Sequence, residues 1–268
     1  MDKSRWNFPS NNRGVKKLKD SEVMSSPPSS NEKFLRDKDK ISVIIAAAGK
    51  GTRMNHSLPK QYLPLEGKPI LAHTLINLSK IPAVDSITLV VSEDRIDWCK
   101  EKIIDKFNIK KVEKIIAGGE TRSESVVNGL QSLDKKTQIV AIHDGVRPFI
   151  TASVFNNIIK HIGKFGAVIC AIPVRDTLKN VNEKNEVKST QDRKGLWLVQ
   201  TPQIFRYSLI MKAYKKAAEE GFQATDDAGV VERLPHPVKI VEGSSFNVKI
   251  TTPEDLILAE AIFEIGNW

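Results

Sequence analysis

The sequence predicts an α/β fold: a doubly wound, mostly parallel sheet from which a β-hairpin arm protrudes. Three observations carry this. Apolar runs at residues 41–47, 86–92, 112–117, 138–143 and 167–172 read as strands buried on both faces. Helical stretches at about 69–80, 94–107, 122–132 and 151–164 lie between them. Strand and helix in strict alternation mean parallel crossover units, and residues 173–198 then break that alternation.

Taken in order, residues 1–40 differ from all that follows. They are rich in Ser, Asn, Lys and Pro, as in Met24-Ser25-Ser26-Pro27-Pro28-Ser29-Ser30, and lack hydrophobic periodicity, so a disordered tail is expected there. The tail has no apolar segment of the secretory kind, and Asp2, Asp20 and Glu22 argue against a transit peptide. The expected location is cytoplasmic, with plastid import left open. One domain, 41–268, accounts for the remainder. Within it, residues 173–198 read as a long hairpin around a turn at 180–185, without a core of its own, and are expected to pack on a second subunit. A strand at 246–250 and a helix capped at Thr252-Pro253-Glu254-Asp255 close the pattern.

Composition narrows the function classes. The net charge of +9 divides into +4 on residues 1–40, which hold ten Lys/Arg and six Asp/Glu, and +5 on the rest. Aromatic residues are 6%, and no basic face interleaved with them is visible, which speaks against nucleic acid as a partner. No apolar run approaches the roughly 20 residues of a membrane-spanning helix. A modest positive balance suits polyanionic small substrates. The two cysteines, Cys99 and Cys170, have neither metal-ligand nor redox spacing and read as buried thiols of a reducing compartment.

Several segments could carry chemistry. Ala46-Ala47-Ala48-Gly49-Lys50-Gly51-Thr52-Arg53-Met54 follows the first strand, and a strand–glycine–helix junction of this kind cradles phosphate. It is neither a dinucleotide fingerprint, since Met54 stands at the third glycine, nor a Walker A loop. Alone it also reads as a tight turn; Arg53, able to chelate phosphate oxygens, and Lys60 in Leu58-Pro59-Lys60-Gln61-Tyr62-Leu63 shift the balance. His143-Asp144-Gly145-Val146-Arg147-Pro148 ends a strand, where open sheets bind ligands, and Asp144 there could hold Mg²⁺ with phosphate oxygens or simply form a turn with Gly145. Gly118-Gly119-Glu120-Thr121-Arg122-Ser123-Glu124-Ser125 offers hydroxyls and free backbone groups to a base edge, and Thr121 or Ser123 as a helix cap. Thr225-Asp226-Asp227, Lys249 within the expected strand, and Thr177 with Asp192-Arg193 in the hairpin complete the set. Of the five histidines only His143 adjoins a site motif, and it reads as structural.

Together these segments resemble the 2-C-methyl-D-erythritol 4-phosphate cytidylyltransferase family. The match runs in order from about residue 41 to the end, adding Pro173-Val174-Arg175-Asp176-Thr177, Asp192-Arg193-x-Gly195-Leu196-Trp197, Gln200-Thr201-Pro202-Gln203 and Asn247-Val248-Lys249 to the segments above. The tail is not covered. Ala46, Gly145 and Asp227 depart from the residues the family often has there, without removing a charged catalytic group.

The resemblance implies a Rossmann-like nucleotidyltransferase fold, CTP and a small phosphorylated polyol as substrates, a divalent cation such as Mg²⁺, and a homodimer. It implies catalytic roles for Arg53, Lys60, Arg193 and Lys249, and nucleotide binding at Ala47, Ala48, Gly49, Gly51, Gly119, Glu120, Ser125, Asp144 and Gly145. Arg147, Thr177, Arg193, Thr225 and Lys249 would bind the acceptor, with Thr177 and Arg193 reaching in from the partner subunit, and Asp144 would bind the metal. The nearest rival is a ribitol 5-phosphate cytidylyltransferase; Asp192-Arg193-x-Gly195-Leu196-Trp197 favours the methylerythritol branch. A non-catalytic nucleotide-binding regulator is disfavoured by the presence of both Arg53 and Lys60.

Overall fold

The computed structural model describes residues 40–49 and 58–266. The expected tail, Lys40 apart, lies outside the described residues, as do Gly51 and Arg53. In chain order the elements are β1 (Ile41–Ala46), a 3-10 turn (Lys60–Tyr62), β2 (Pro64–Leu65), β3 (Lys68–Pro69), α1 (Ile70–Ser79), β4 (Val84–Val91), a second 3-10 turn (Glu93–Arg95) and α2 (Ile96–Cys99), which widens to π winding over Lys100–Asp105. There follow β5 (Val112–Ala117), α3 (Arg122–Ser132), β6 (Ile139–Asp144), α4 (Ala152–Phe165), β7 (Ala167–Pro173), β8 (Leu178–Val181), β9 (Val187–Gln191) and β10 (Trp197–Arg206). The chain ends through α5 (Tyr207–Glu220), α6 (Asp227–Val231), β11 (Lys239–Glu242) and α7 (Pro253–Ile265).

Seven strands form one sheet in the order β11-β7-β10-β6-β1-β4-β5. β1 pairs parallel with β4 and β6, β4 with β5, and β7 with β11; β10 runs antiparallel between β6 and β7. The doubly wound, mostly parallel sheet is therefore as expected. Its faces are buried because alternate residues of each strand feed opposite cores. Ile41, Val43 and Ile45 of β1 point to the side covered by α1 and α4, and Ile44 to the side covered by α3 and α5. A third cluster, including Leu65, Ile70, Phe149 and Ile262, seats α7. The strand order reverses between β1 and β6, and open α/β sheets bind ligands at the carboxyl ends of strands flanking such a reversal.

The expected caps are present. Thr121 caps α3 in a reciprocal box with Glu124, and Thr252 does the same for α7 with Asp255. The arm is the two-stranded hairpin β8–β9, turning over residues 182–186 with Asn185 in the left-handed region at φ 62°. All of β9 is exposed in the single chain.

One expected strand is absent, and one observed strand was not expected. Residues 246–250 are not a strand; the closing strand is β11, at Lys239–Glu242. Their backbone groups serve turns and one long-range contact instead: Asn247 N–H bonds the Ser244 carbonyl and Val248 N–H the Phe246 carbonyl, while Ile250 N–H reaches the Val146 carbonyl. The Asn247 carbonyl takes the Arg147 guanidinium. Lys249 thus sits on an irregular loop, not in a strand. Conversely, nothing in the sequence pattern marks β10, because Pro202 interrupts its run. The register of β10 against β7 shifts between Val199 and Gln203, which accommodates it.

Candidate active site

The ends of β1 and β6 are locked together. Ala46 pairs with Asp144, and Gly145 N–H donates to the Ala46 carbonyl at 3.1 Å. Around this point lie two adjoining hollows. One, of about 580 Å³, is lined by Ala47, Ala48, Gly49, Lys60, Gly119, Glu120 and Ser125 among others. The second, of about 430 Å³, is lined by Arg147, Gln200, Thr201, Thr225 and Glu232 among others. Arg122, Asp144 and Lys249 line both.

The walls of the larger hollow are set by close packing. A Cβ at Gly118 would stand 2.5 Å from the Ala48 Cβ and 2.7 Å from the Ser125 Oγ, so only glycine lets the two loops meet. Gln61, buried, donates from its side-chain amide to the carbonyls of Ala47 at 2.7 Å and Gly49 at 3.1 Å. Tyr62 is anchored in the core beside Trp98. These two residues hold the turn that carries Lys60 against the glycine loop. The expectation of free backbone N–H groups at 118–121 is corrected. Gly118 N–H bonds the Val91 carbonyl, Gly119 N–H the Ser125 Oγ, and the N–H groups of Glu120 and Thr121 the Glu124 carboxylate. This corner takes up its own donors, leaving the shape of the loop to meet a ligand.

Asp144 is the electrostatic centre. It is 5% exposed, with Lys249 Nζ at 2.9 Å and Arg147 Nε at 3.4 Å from Oδ2, and Arg122 Nε at 3.6 Å from Oδ1. Burial alone would raise its pKa; the charges of Lys249, Arg122 and Arg147 outweigh it and hold the carboxyl well below the usual range. The Thr201 hydroxyl accepts from Asp144 N–H at 3.0 Å and donates to His143 Nδ1 at 3.1 Å. His143 Nε2–H in turn donates to the Arg147 carbonyl at 3.1 Å, the tautomer this network requires. Burial pushes the His143 pKa down to about 4, so a neutral, structural imidazole braces the loop, as the sequence suggests.

The structure thus brings most of the expected residues together: Ala47, Ala48, Gly49, Lys60, Gly119, Glu120 and Ser125 in one hollow, Arg147 and Thr225 in the other, Asp144 and Lys249 in both. Gly145 is placed differently. Its carbonyl accepts from Thr74 and its N–H bonds Ala46, so it packs behind the site without lining it. Thr177 and Arg193 sit on the exposed arm and line neither hollow of their own chain. Arg193 bonds the carbonyl of Arg175 within the arm. Sequence reasoning assigned no role to Arg122, Gln61 or Thr201, although each falls inside a quoted motif; their signal was a polar side chain beside a glycine or proline turn.

Asp144 is also the one carboxylate, among the described residues, lining both hollows. Among the described residues its Oδ1 has just the longer Arg122 contact, which leaves that oxygen able to coordinate. That suits a hard divalent cation, which takes one or two protein carboxylates and completes its shell with substrate phosphates and water. Among the described residues no helix is long and apolar enough to cross a membrane.

Comparison with known proteins agrees with this geometry. A sequence model of 2-C-methyl-D-erythritol 4-phosphate cytidylyltransferase matches residues 41–265. The enzyme of that name from Alkaliphilus metalliredigens is 48% identical over 223 residues, 83% of this chain and 92% of the relative. That from Syntrophus aciditrophicus is 45% identical over 227 residues, 85% and 97%. The crystal structure of 4-diphosphocytidyl-2C-methyl-D-erythritol synthase from Anaerococcus prevotii superposes with a TM-score of 0.73 at 35% identity, covering 84% of this chain and 99% of that one. The chain belongs to the 2-C-methyl-D-erythritol 4-phosphate cytidylyltransferase family.

Proposed function

We infer that the chain transfers the cytidylyl group of CTP to 2-C-methyl-D-erythritol 4-phosphate, giving 4-diphosphocytidyl-2-C-methyl-D-erythritol and pyrophosphate. One observation carries this reading beyond family membership: two hollows meet at a single cluster of Arg122, Asp144 and Lys249, the layout that a reaction between two bound phosphates needs. In this reading CTP lies against Ala47–Gly49 and Gly119–Ser125, and the acceptor lies between Arg147, Thr225 and Lys249. An oxygen of the acceptor phosphate attacks the α-phosphorus. The new P–O bond forms as the α–β anhydride bond breaks, and pyrophosphate departs with the electron pair. The attacking phosphate is already ionised, so no general base is required. Catalysis is positioning and charge stabilisation, a role that falls to Lys60 and, by the family resemblance alone, to Arg53. Asp144 would hold Mg²⁺, which neutralises charge on the triphosphate when bound.

A homodimer belongs to the same reading. In the single chain Val181, Val187, Trp197, Leu198 and Val199 of the arm region are large, apolar and exposed. A two-stranded hairpin is marginal unless packed. A two-fold pair of arms would cover these side chains and bring Thr177 and Arg193 to the neighbour's acceptor hollow. We place the reaction in the cytoplasm, consistent with two free, buried cysteines.

The test is pyrophosphate release from CTP and Mg²⁺ with either methylerythritol phosphate or ribitol 5-phosphate. Release with the first and none with the second is expected. Release with ribitol 5-phosphate alone would select the rival acceptor, and CTP binding without release under either condition would make the chain a regulator.

A further inference from the structure

Behind the wall between the two hollows the charges continue to Asp227 and Tyr214, two residues that the reading above does not use. Arg122 Nη1 and Nη2 donate to Asp227 Oδ1 and Oδ2 at 3.0 and 2.7 Å, a bidentate pair, while its Nε faces Asp144. Asp227 is fully buried, and the Tyr214 hydroxyl of α5 donates to its Oδ1 at 2.6 Å. Neither Asp227 nor Tyr214 lines a hollow. The short helix that carries Asp227 is itself tied to β10, because Gln203 accepts from Ala228 N–H at 2.9 Å and donates to Asp226 at 2.8 Å. The guanidinium of Arg122 is therefore gripped from behind by Asp227, with its Nε turned to Asp144 at the junction of the two hollows.

We propose that Asp227, seated by Tyr214, is a positioning residue for nucleotidyl transfer: it holds Arg122 where nucleotide and acceptor meet, and through Arg122 orients Asp144. The proposal rests on the assignment of the two hollows given above. A buried ion pair can equally serve folding alone, since removing one partner of such a pair is strongly destabilising. The two roles differ in kinetics. A group acting through Arg122 loses its influence on turnover once Arg122 is gone, whereas a group that holds the fold does not.

The experiment is a double-mutant cycle in pyrophosphate release from CTP and 2-C-methyl-D-erythritol 4-phosphate. It uses Asp227→Asn, Arg122→Ala and the pair, below the melting transition of every variant. Ile210→Val, a core truncation on α5, controls for lost stability. Asp227→Asn is expected to lower kcat on the order of 10- to 100-fold, with smaller changes in either KM, as misplacement of a reacting group does. Tyr214→Phe should lower kcat less, in the same direction. In the Arg122→Ala background Asp227→Asn should add nothing. The proposal is overturned if Asp227→Asn keeps kcat within about twofold of wild type while its Tm falls, or if its loss multiplies with that of Arg122→Ala. Should Asp227→Asn fail to fold, the same cycle with Tyr214→Phe decides. A wild-type chain that releases no pyrophosphate would instead defeat the assignment of the hollows.

Discussion

The side-chain amide of Gln61 donates to the main-chain carbonyl of Ala47 at 2.7 Å. Fourteen residues apart in sequence, the two join the turn that bears Lys60 to the end of β1. The bond uses a carbonyl at a strand end, where a ladder partner is no longer available, and it is buried. It makes the distance between Lys60 and Ala47–Gly49 a property of the fold.

Gln61→Ala should therefore disturb both stability and turnover. Loss of a buried donor leaves the Ala47 carbonyl unsatisfied, a cost of about 1–3 kcal/mol. The larger effect should be kinetic, a fall in kcat of roughly tenfold or more as Lys60 loses its fixed place. Thermal melting and steady-state kinetics measure the two. Wild-type kcat in a destabilised variant would show that Lys60 is held by other means.

Two glycines separate packing from binding. At Gly129 on α3 a Cβ would meet Ile44 Cγ2 at 2.7 Å, inside the core and away from both hollows. Gly129→Ala should lower stability by about 1–3 kcal/mol through overpacking and leave the KM for CTP alone. Gly118→Ala pushes Ala48 away from Ser125, so it should lower stability and also raise the KM for CTP. Equal KM values in the two variants would detach the 118–125 loop from nucleotide binding.

The cysteines offer a test of the core. Both are fully buried; burial raises the pKa of Cys99 and pushes that of Cys170 up to about 12. The thiolate is the reactive form, so neither side chain should alkylate in the native protein at pH 8. Mass spectrometry after iodoacetamide should show two additions in denaturant and none without it. Rapid native labelling of Cys170 would mean that the β11–β7 side of the sheet opens readily.

How much of this was legible in the sequence depends on range. β1, β6 and β7 were readable because burial on both faces leaves an unbroken apolar run. β10 was not, because polar Gln200 and Thr201 and the mid-run Pro202 contradict a central strand, and a shift in register resolves the conflict. Phe246, Val248 and Ile250 alternate like a strand, yet the turns they make are fixed by Arg147, a hundred residues away from Asn247. The glycine loops and Asp144 were visible as motifs. The pairing of Arg122 with Asp227 was not, since nothing local links residues 105 apart.

The last prediction concerns assembly. Arg193 and Thr177 lie on the arm, outside both hollows of their own chain, so if they serve the acceptor they must serve that of another subunit. Arg193→Ala should then raise the KM for the acceptor far more than that for CTP, because a charge-assisted phosphate contact is lost. Lys60→Ala should depress kcat roughly 10²-fold, as loss of a transition-state donor does. Each homodimer is defective at every site. In a mixed dimer one site combines an intact Lys60 from its own chain with an intact Arg193 from its neighbour, and the other site has neither. Random exchange of equal amounts should restore about a quarter of all sites. Native mass spectrometry can establish that subunits have exchanged, and pyrophosphate release then reads the outcome. Recovered activity supports a shared site; a mixture of exchanged dimers as inactive as its parents shows that Arg193 acts within its own subunit or has no part in the reaction.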